Sequence, residues 1–278
     1  MDNLNSQDFQ ALASFIQDFT GIRMPAGKKT MLEGRLRKRV RALGLGSLDE
    51  YCHLLFRDGL MEAERTSLVN AVTTNKTDFL REAEHFNLLR QQILPQWMDG
   101  PERIGISRPL RTWSAACSSG AEPYTLAMLF DDISLSARQI RHEILATDIS
   151  TEILDKAKRA IYPAEMLAPV PPDWQKRYFL RSRQTASPTV RLVPKIRQAV
   201  HFGYLNLMEP QYPLPNSMDL IFCRNILIYF NKQTQQQVLS RLCRHLRPGG
   251  VLFISHTESV AGMDLPVHPL TTSVFVRR

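Results

Sequence analysis

The chain has 278 residues, 44% of them hydrophobic and 22% charged, which suffices for one large core or two smaller ones and excludes disordered, collagenous and coiled-coil classes. No stretch reaches the ~20 consecutive apolar residues of a membrane helix, and the polar start Met1-Asp2-Asn3-Leu4-Asn5 has neither the basic nor the apolar region of a signal peptide. The net charge of +8 is concentrated: residues 21–43 carry eight Lys/Arg against one Glu and residues 174–200 carry seven against none, leaving the rest of the chain at −6.

Residues 5–19 place Phe9, Leu12, Phe15, Ile16 and Phe19 at helical spacing. A second helix is expected over 26–43, with Leu32, Leu36, Val40 and Leu43 as its apolar stripe, basic residues around the rest, and Gly44 and Gly46 ending it. Helices near 48–57 and 61–72 complete a small helical domain over residues 1–95, closed by Pro95. Strands then alternate with helices. Leu110–Ala115 is a strand, and Glu122–Leu129 starts a helix with Pro123 in its first turn. Ile144–Thr147 is a buried strand, and Ser150 caps a helix over 151–160. Met218–Cys223 and Val251–Ser255 are strands flanking a helix over 232–246, with a turn at Arg247-Pro248-Gly249-Gly250. This order predicts a doubly wound, mostly parallel sheet over residues 96–278, with a ligand at the carboxyl ends of its strands. Prolines 163, 169, 171 and 172 interrupt the alternation, so 177–181, 190–193 and 199–202 read as short antiparallel strands of a β insertion over about 175–203.

The turn after the first strand, Trp113 to Pro123, has small residues but a single glycine and no GxGxxG. A dinucleotide pyrophosphate needs that glycine-rich turn; a nucleoside such as S-adenosylmethionine needs it less. Asp148 ends the second strand, where a carboxylate either accepts the two ribose hydroxyls or caps the next helix. Arg224 and Asn225 interrupt the apolar run Leu220–Tyr229; polar groups placed there need partners and point to a site. The four cysteines, Cys52, Cys117, Cys223 and Cys243, are far apart with no CxxC pair. They offer neither a zinc site nor a disulfide framework, so no metal is expected and the compartment is expected to be the reducing cytoplasm.

Several of these segments resemble one family in order. Thr74-Asn75-Lys76-Thr77-Asp78-Phe79-Leu80-Arg81-Glu82 is similar to the TTNxTxFFRE segment of the CheR family, the chemotaxis receptor glutamate methyltransferases. Trp113 to Tyr124 resembles its WSAxxSTGEEPY; Ala146-Thr147-Asp148-Ile149, Asn206-Leu207 and Phe222 to Phe230 follow, and the basic helix ending Arg41-Ala42-Leu43-Gly44-Leu45 resembles its N-terminal domain. The departures are Ala121 for the first Glu of GEEPY, Ser119 for its Thr, and Leu80 for one Phe. The resemblance implies a Rossmann-like S-adenosylmethionine-dependent methyltransferase fold with an N-terminal helical domain and a small antiparallel β insertion. It implies a cofactor pocket lined by Asn75, Thr77, Arg81, Glu122, Asp148, Asn206, Leu207, Arg224 and Asn225. Arg81 would fork onto the methionine carboxylate, Glu122 accept from its ammonium, Asp148 hold the ribose, Asn206 bond the adenine edge and Leu207 pack on its face. Arg81 and Tyr229 would orient the substrate carboxylate. For Arg81 taken alone, a surface ion pair with Glu82 or Glu84 is the alternative.

The implied reaction makes a glutamate methyl ester and S-adenosylhomocysteine, with no metal. The implied partner is a chemoreceptor's helical cytoplasmic bundle, met by Arg35, Arg37, Lys38 and Arg41, with a receptor tail on the β insertion; nothing requires more than a monomer. Three rivals remain. A nucleic-acid methyltransferase would explain the basicity, but the chain has neither NPPY/DPPY nor a Pro-Cys nucleophile. A non-catalytic S-adenosylmethionine-responsive module would explain Ala121, and an NAD oxidoreductase lacks its glycines.

Overall fold

The structure is a computed structural model describing residues 3–136, 139–183, 186–214 and 216–278. Asn5 caps α1 (Ser6–Thr20) by accepting from the Asp8 N–H, and Gly21 ends it at φ 76°. A Cβ at Gly21 would lie 2.7 Å from Met208 Sδ, so glycine alone lets the helix end rest there. The basic segment starts as a 3₁₀ turn, Ala26–Lys28, and continues as α2 (Lys29–Ala42), with Leu32, Leu36 and Val40 buried. α3 (Leu48–Phe56) and α4 (Met61–Val72) pack on it. After an irregular segment, α5 (Ala83–Leu88), a π stretch Leu89–Ile93 and α6 (Leu94–Asp99) form one continuous run. Pro95 therefore does not end the helix: it follows directly on the widened π turn, which relieves the loss of its N–H.

The main sheet is built from β1 (Leu110–Ala115), then β2 (His142–Asp148) after α7 (Ala121–Ser136). Beyond α8 (Thr151–Arg159) lie β3 (Ile161–Pro163), α9 (Pro172–Tyr178), β4 (Phe179–Arg181), β5 (Thr189–Leu192) and α10 (Pro194–Gln198). The chain continues as β6 (Val200–Tyr204), β7 (Met218–Phe222), α11 (Lys232–His245), β8 (Leu246–Phe253), β9 (Val267–Pro269) and β10 (Val274–Arg277). The seven-stranded order is β6-β2-β1-β7-β8-β10-β9, parallel except where β10 runs antiparallel to β8 and β9. A separate antiparallel sheet has the order β3-β5-β4.

Two expectations need correction. Residues 199–202 do not join the insertion: β6 pairs in parallel with β2 from Val200 to Tyr204, and the third insertion strand is β3. Strands of three residues carry too little periodicity to show their partner. Arg247-Pro248-Gly249-Gly250 is likewise no free turn; it lies within β8, paired with β7 around a register shift between Met218 and Leu220.

Alternation along β7 explains the layering. Leu220 and Phe222 point into one apolar cluster, with Phe253, Leu126 and the residues Phe86, Leu89, Ile93 and Met98 of the α5–α6 run. Ile221 and Cys223 point into the other, where Leu12, Ile16, Leu32 and Leu36 of the N-terminal helices pack beside Leu207 and Phe230. The N-terminal helices thus form one layer against the sheet, and their edge reaches the carboxyl ends of its strands.

Candidate active site

Connections diverge on either side of β1: β2 and β6 extend the sheet one way, β7 and β8 the other. The carboxyl ends of β1 and β7 therefore open a crevice at a topological switch point, where α/β sheets bind ligands. A cavity lies there. Its lining includes Asn75, Thr77, Arg81, Glu122, Asp148, Asn206, Leu207, Arg224, Asn225 and Tyr229, so every residue expected at the site is brought to one cavity. The sequence reading missed its other wall: Thr20, Ile22, Met24, Lys28 and Met31, from the end of α1 to the start of α2, face it as well.

Asp148 is buried at the end of β2 and does not cap the helix; Ser150 does, accepting from Ile153 N–H. Its two oxygens accept the backbone N–H groups of Ser118 (2.8 Å) and Ser150 (2.9 Å). Burial raises its pKa against the pull of these donors. A carboxylate offers four lone-pair directions, so acceptor capacity remains toward the cavity.

Glu122, in the first turn of α7, accepts from Ser114 Oγ at 2.7 Å and from Arg224 Nη1 at 3.0 Å. Arg224 Nη2 donates to Glu82 Oε2 at 3.0 Å and to the carbonyl of Arg81. One buried guanidinium thus joins two carboxylates and the backbone that presents Arg81. Glu82 also accepts from Ser255 Oγ (2.6 Å) and Asn225 Nδ2 (3.3 Å). Burial alone would raise the Glu82 pKa; the Ser255 bond and the Arg224 charge bring it down to about 2. Glu122 is pushed up by burial in spite of Arg224. Arg224 therefore lines the cavity with its Nη groups bonded to the wall. Glu82 is taken up in the same way, which removes the alternative ion pair of Glu82 with Arg81.

Arg81 donates to the Lys76 carbonyl at 3.2 Å and is half-buried at the cavity. Asn206 is tied at both ends of its amide, to the Phe19 carbonyl (2.7 Å) and the Met208 N–H (3.0 Å), which fastens the β6 loop to α1. Asn225, at φ 61°, is held through its N–H by the buried Glu258, which also takes the N–H groups of Leu227 and Ser255. Ala121 is fully buried at the start of α7, packed in the apolar cluster. Cys117 and Cys223 lie just beyond the adjacent strands β1 and β7, and burial holds both thiols well above their usual range, so neither is poised as a nucleophile. Behind Glu82, Ser273 Oγ bridges the imidazoles of His85 (2.8 Å) and His256 (3.1 Å).

The donor set suits S-adenosylmethionine: a carboxylate with acceptor capacity left for a ribose, a second acid for an ammonium, the Arg81 guanidinium for a carboxylate, and apolar Ile149, Leu205, Leu207 and Ile226 beside them. Fold and cavity define the class of an S-adenosylmethionine-dependent methyltransferase. Two family models divide the chain: the CheR methyltransferase all-alpha domain matches residues 7–73, and the CheR methyltransferase SAM binding domain matches residues 75–276. Chemotaxis protein methyltransferase 2 of Pseudomonas aeruginosa is 39% identical over 91% of this chain and 86% of its own length. The chemotaxis protein methyltransferase of Escherichia coli is 36% identical over 94% and 87%, and that of Borreliella burgdorferi 32% over 94% and 90%. The chain belongs to the CheR methyltransferase family.

Proposed function

We propose that this enzyme transfers a methyl group from S-adenosylmethionine to glutamate side chains of chemoreceptor cytoplasmic domains, giving methyl esters and S-adenosylhomocysteine in the adaptation of chemotaxis-type signalling. The observation that carries the reading is the convergence of Arg81, Glu122 and Asp148 on one cavity at the switch point of the sheet. When bound, the cofactor supplies an electrophilic methyl on a sulfonium centre. Asp148 would accept the ribose hydroxyls, Glu122 the ammonium, and Arg81 would pair with the methionine carboxylate and, with Tyr229, orient the incoming glutamate. Asn75, Thr77, Asn206 and Leu207 complete the walls, and Asn225 with Arg224 fixes the loop carrying Tyr229. A glutamate with pKa ~4.3 is ionised at neutral pH, so these residues need move no proton. What they supply is alignment and exclusion of water, a contribution equivalent to effective molarities of about 10⁵ M or more.

The partner surfaces follow from charge. Lys38 and Arg41 are exposed on α2, with Arg37 beside them, and would read the acidic face of a receptor helix bundle. On the insertion, β4 is an edge strand with Leu180 exposed, and a receptor tail would pair along it. Part of that patch is already neutralised, Lys195 by Asp131 and Arg177 by Asp132. No helix among the described residues is long and apolar enough to cross a membrane, and an enzyme acting on cytoplasmic receptor domains works in the cytoplasm. The test is transfer of labelled methyl to purified receptor cytoplasmic fragments. Label on glutamate released by mild base is the expected result; label on added RNA or DNA, or cofactor binding with no transfer to any receptor fragment, would overturn the reading.

A further inference from the structure

Arg35 lies in the basic helix but is engaged differently from the cations around it. Its Nη1 donates to the carbonyls of Val72 and Thr73, the latter at 2.9 Å, and its Nη2 to Thr74 Oγ1 at 2.8 Å. Val72 is the last residue of α4 and Thr73 its C-cap, so the guanidinium satisfies carbonyls that a helix end leaves without partners and opposes the negative end of its dipole. The chain that leaves this point is a wall of the cavity: Val72, Thr73, Thr74, Asn75, Lys76 and Thr77 all line it. From Thr73 to Glu82 that wall has no regular structure of its own. Its downstream half is fastened by the buried Phe79, by Thr125 Oγ1 accepting the Leu80 N–H at 3.2 Å, and by Arg224, Ser255 and Asn225 on Arg81 and Glu82; its upstream half, which carries Asn75 and Thr77, is fastened by Arg35 and by Ser118 Oγ on the Asn75 carbonyl at 2.9 Å.

We propose that Arg35 is a positioning residue for the cofactor: it is the clamp by which α2 fixes the Asn75–Thr77 wall, and not one of the cations that meet the substrate protein. This rests on the methyltransferase reading above. The geometry also makes α2 a link, since the helix that offers Lys38 and Arg41 outward holds the cofactor wall with Arg35 inward. A cation free to meet an acidic partner would contribute a long-range, salt-screened attraction, whereas Arg35 acts through three short hydrogen bonds to one segment.

The experiment uses the full chain and measures the dissociation constant of S-adenosylhomocysteine by calorimetry, beside the KM for receptor cytoplasmic fragments and the melting temperature. Arg35→Ala is expected to weaken S-adenosylhomocysteine about tenfold, within the usual range of coupling between neighbouring parts of a fold, with the receptor KM within about twofold of the original. Arg35→Lys, which keeps the charge but reaches fewer acceptors, should restore only part of the affinity. Thr74→Val removes one acceptor, leaves every charge in place, and should weaken binding about threefold. A raised receptor KM with unchanged S-adenosylhomocysteine affinity would overturn the assignment and make Arg35 a docking cation. If Arg35→Ala does not fold, Thr74→Val decides: unchanged affinity overturns the proposal. Failure of the unmodified chain to bind S-adenosylhomocysteine would instead overturn the functional reading beneath it.

Discussion

Replacing Arg224 by methionine should destabilise the protein severely, and in a way that acid partly reverses. The guanidinium side chain is 2% exposed and pairs with Glu82 and Glu122, themselves 16% and 13% exposed. Methionine fills much of the volume, so the loss is electrostatic: two enclosed carboxylates are left facing one another without a cation. Removing one partner of a buried ion pair costs about 3–5 kcal/mol. In a chain of this size, where 1 kcal/mol moves the melting temperature by roughly 2–4 °C, the expected fall is on the order of 10 °C. The pH dependence identifies the cause. In the unmodified protein Glu82 is held near pKa 2, below its ordinary value, so its contribution is present above the unfolded pKa and lost as pH falls through the folded one. Without Arg224, burial and the neighbouring acid raise the folded pKa above the unfolded one, and stability is gained as pH falls through that raised value. Arg224→Met should therefore recover part of its stability between about pH 7 and 5, and adding Glu82→Gln should recover part of it at pH 7. Thermal unfolding at a series of pH values tests this. A loss under 1 kcal/mol, or one that does not shrink on acidification, would refute the account.

Asp148→Asn should leave the fold within about 1–3 kcal/mol of the original, because the amide must turn one N–H group toward a backbone donor, while S-adenosylhomocysteine affinity falls about 100-fold, equivalent to about 3 kcal/mol; calorimetry and melting curves separate the two. His85 is buried between Glu82, Arg224, His256 and Ser273, and burial first, then Arg224 and His256, lowers its pKa to about 4. The unfolded chain then binds a proton that the folded one refuses, so stability present at pH 7 should drop by ~2 kcal/mol by pH 5, and His85→Phe should flatten that slope in denaturant titrations. Reversing Arg37, Lys38 and Arg41 to glutamate should raise the receptor KM at least tenfold and weaken its salt dependence, with S-adenosylhomocysteine affinity unchanged.

The helices and the central strands were legible because their patterns are strong: Leu32, Leu36 and Val40 recur at helical spacing and are buried together, and Met218–Phe222, apolar but for Asp219, is a strand buried on both faces. The cavity residues were legible through the ordered motifs. What joins them was not. Glu82 meets Arg224 and Ser255 across 142 and 173 residues, and no local pattern encodes such a contact. The wall at Ile22, Met24 and Met31 was missed for a related reason. Its residues lie between or beside the two apolar stripes that helical spacing picks out, and only the packing of that layer on the sheet turns them to the cavity. The family models change over between residues 73 and 75, where the irregular wall begins, and the α5–α6 run packs with the sheet. We accordingly propose residue 74, not residue 95, as the point at which the helical unit gives way to the catalytic one.

A reaction that needs no base must draw its rate from geometry, and the backbone around this cavity is built accordingly. Leu80, Glu82, Ala116, Ser118 and Asn225 all have φ between 52° and 61°, a region that costs a residue with a Cβ about 1–3 kcal/mol. Glycine would adopt it without that cost, yet at three of these positions the side chain is what holds the loop. Glu82 is gripped by Arg224, Ser255 and Asn225; Ser118 gives its N–H to Asp148 and its hydroxyl to Asn75; Asn225 reaches Ser255 and Glu82. Replacing any of the three by glycine would relieve the backbone and release the wall. The strain and the network are therefore one device. The network over-determines a conformation that the chain would otherwise leave, and in that conformation Arg81, Asp148 and Tyr229 line the same cavity.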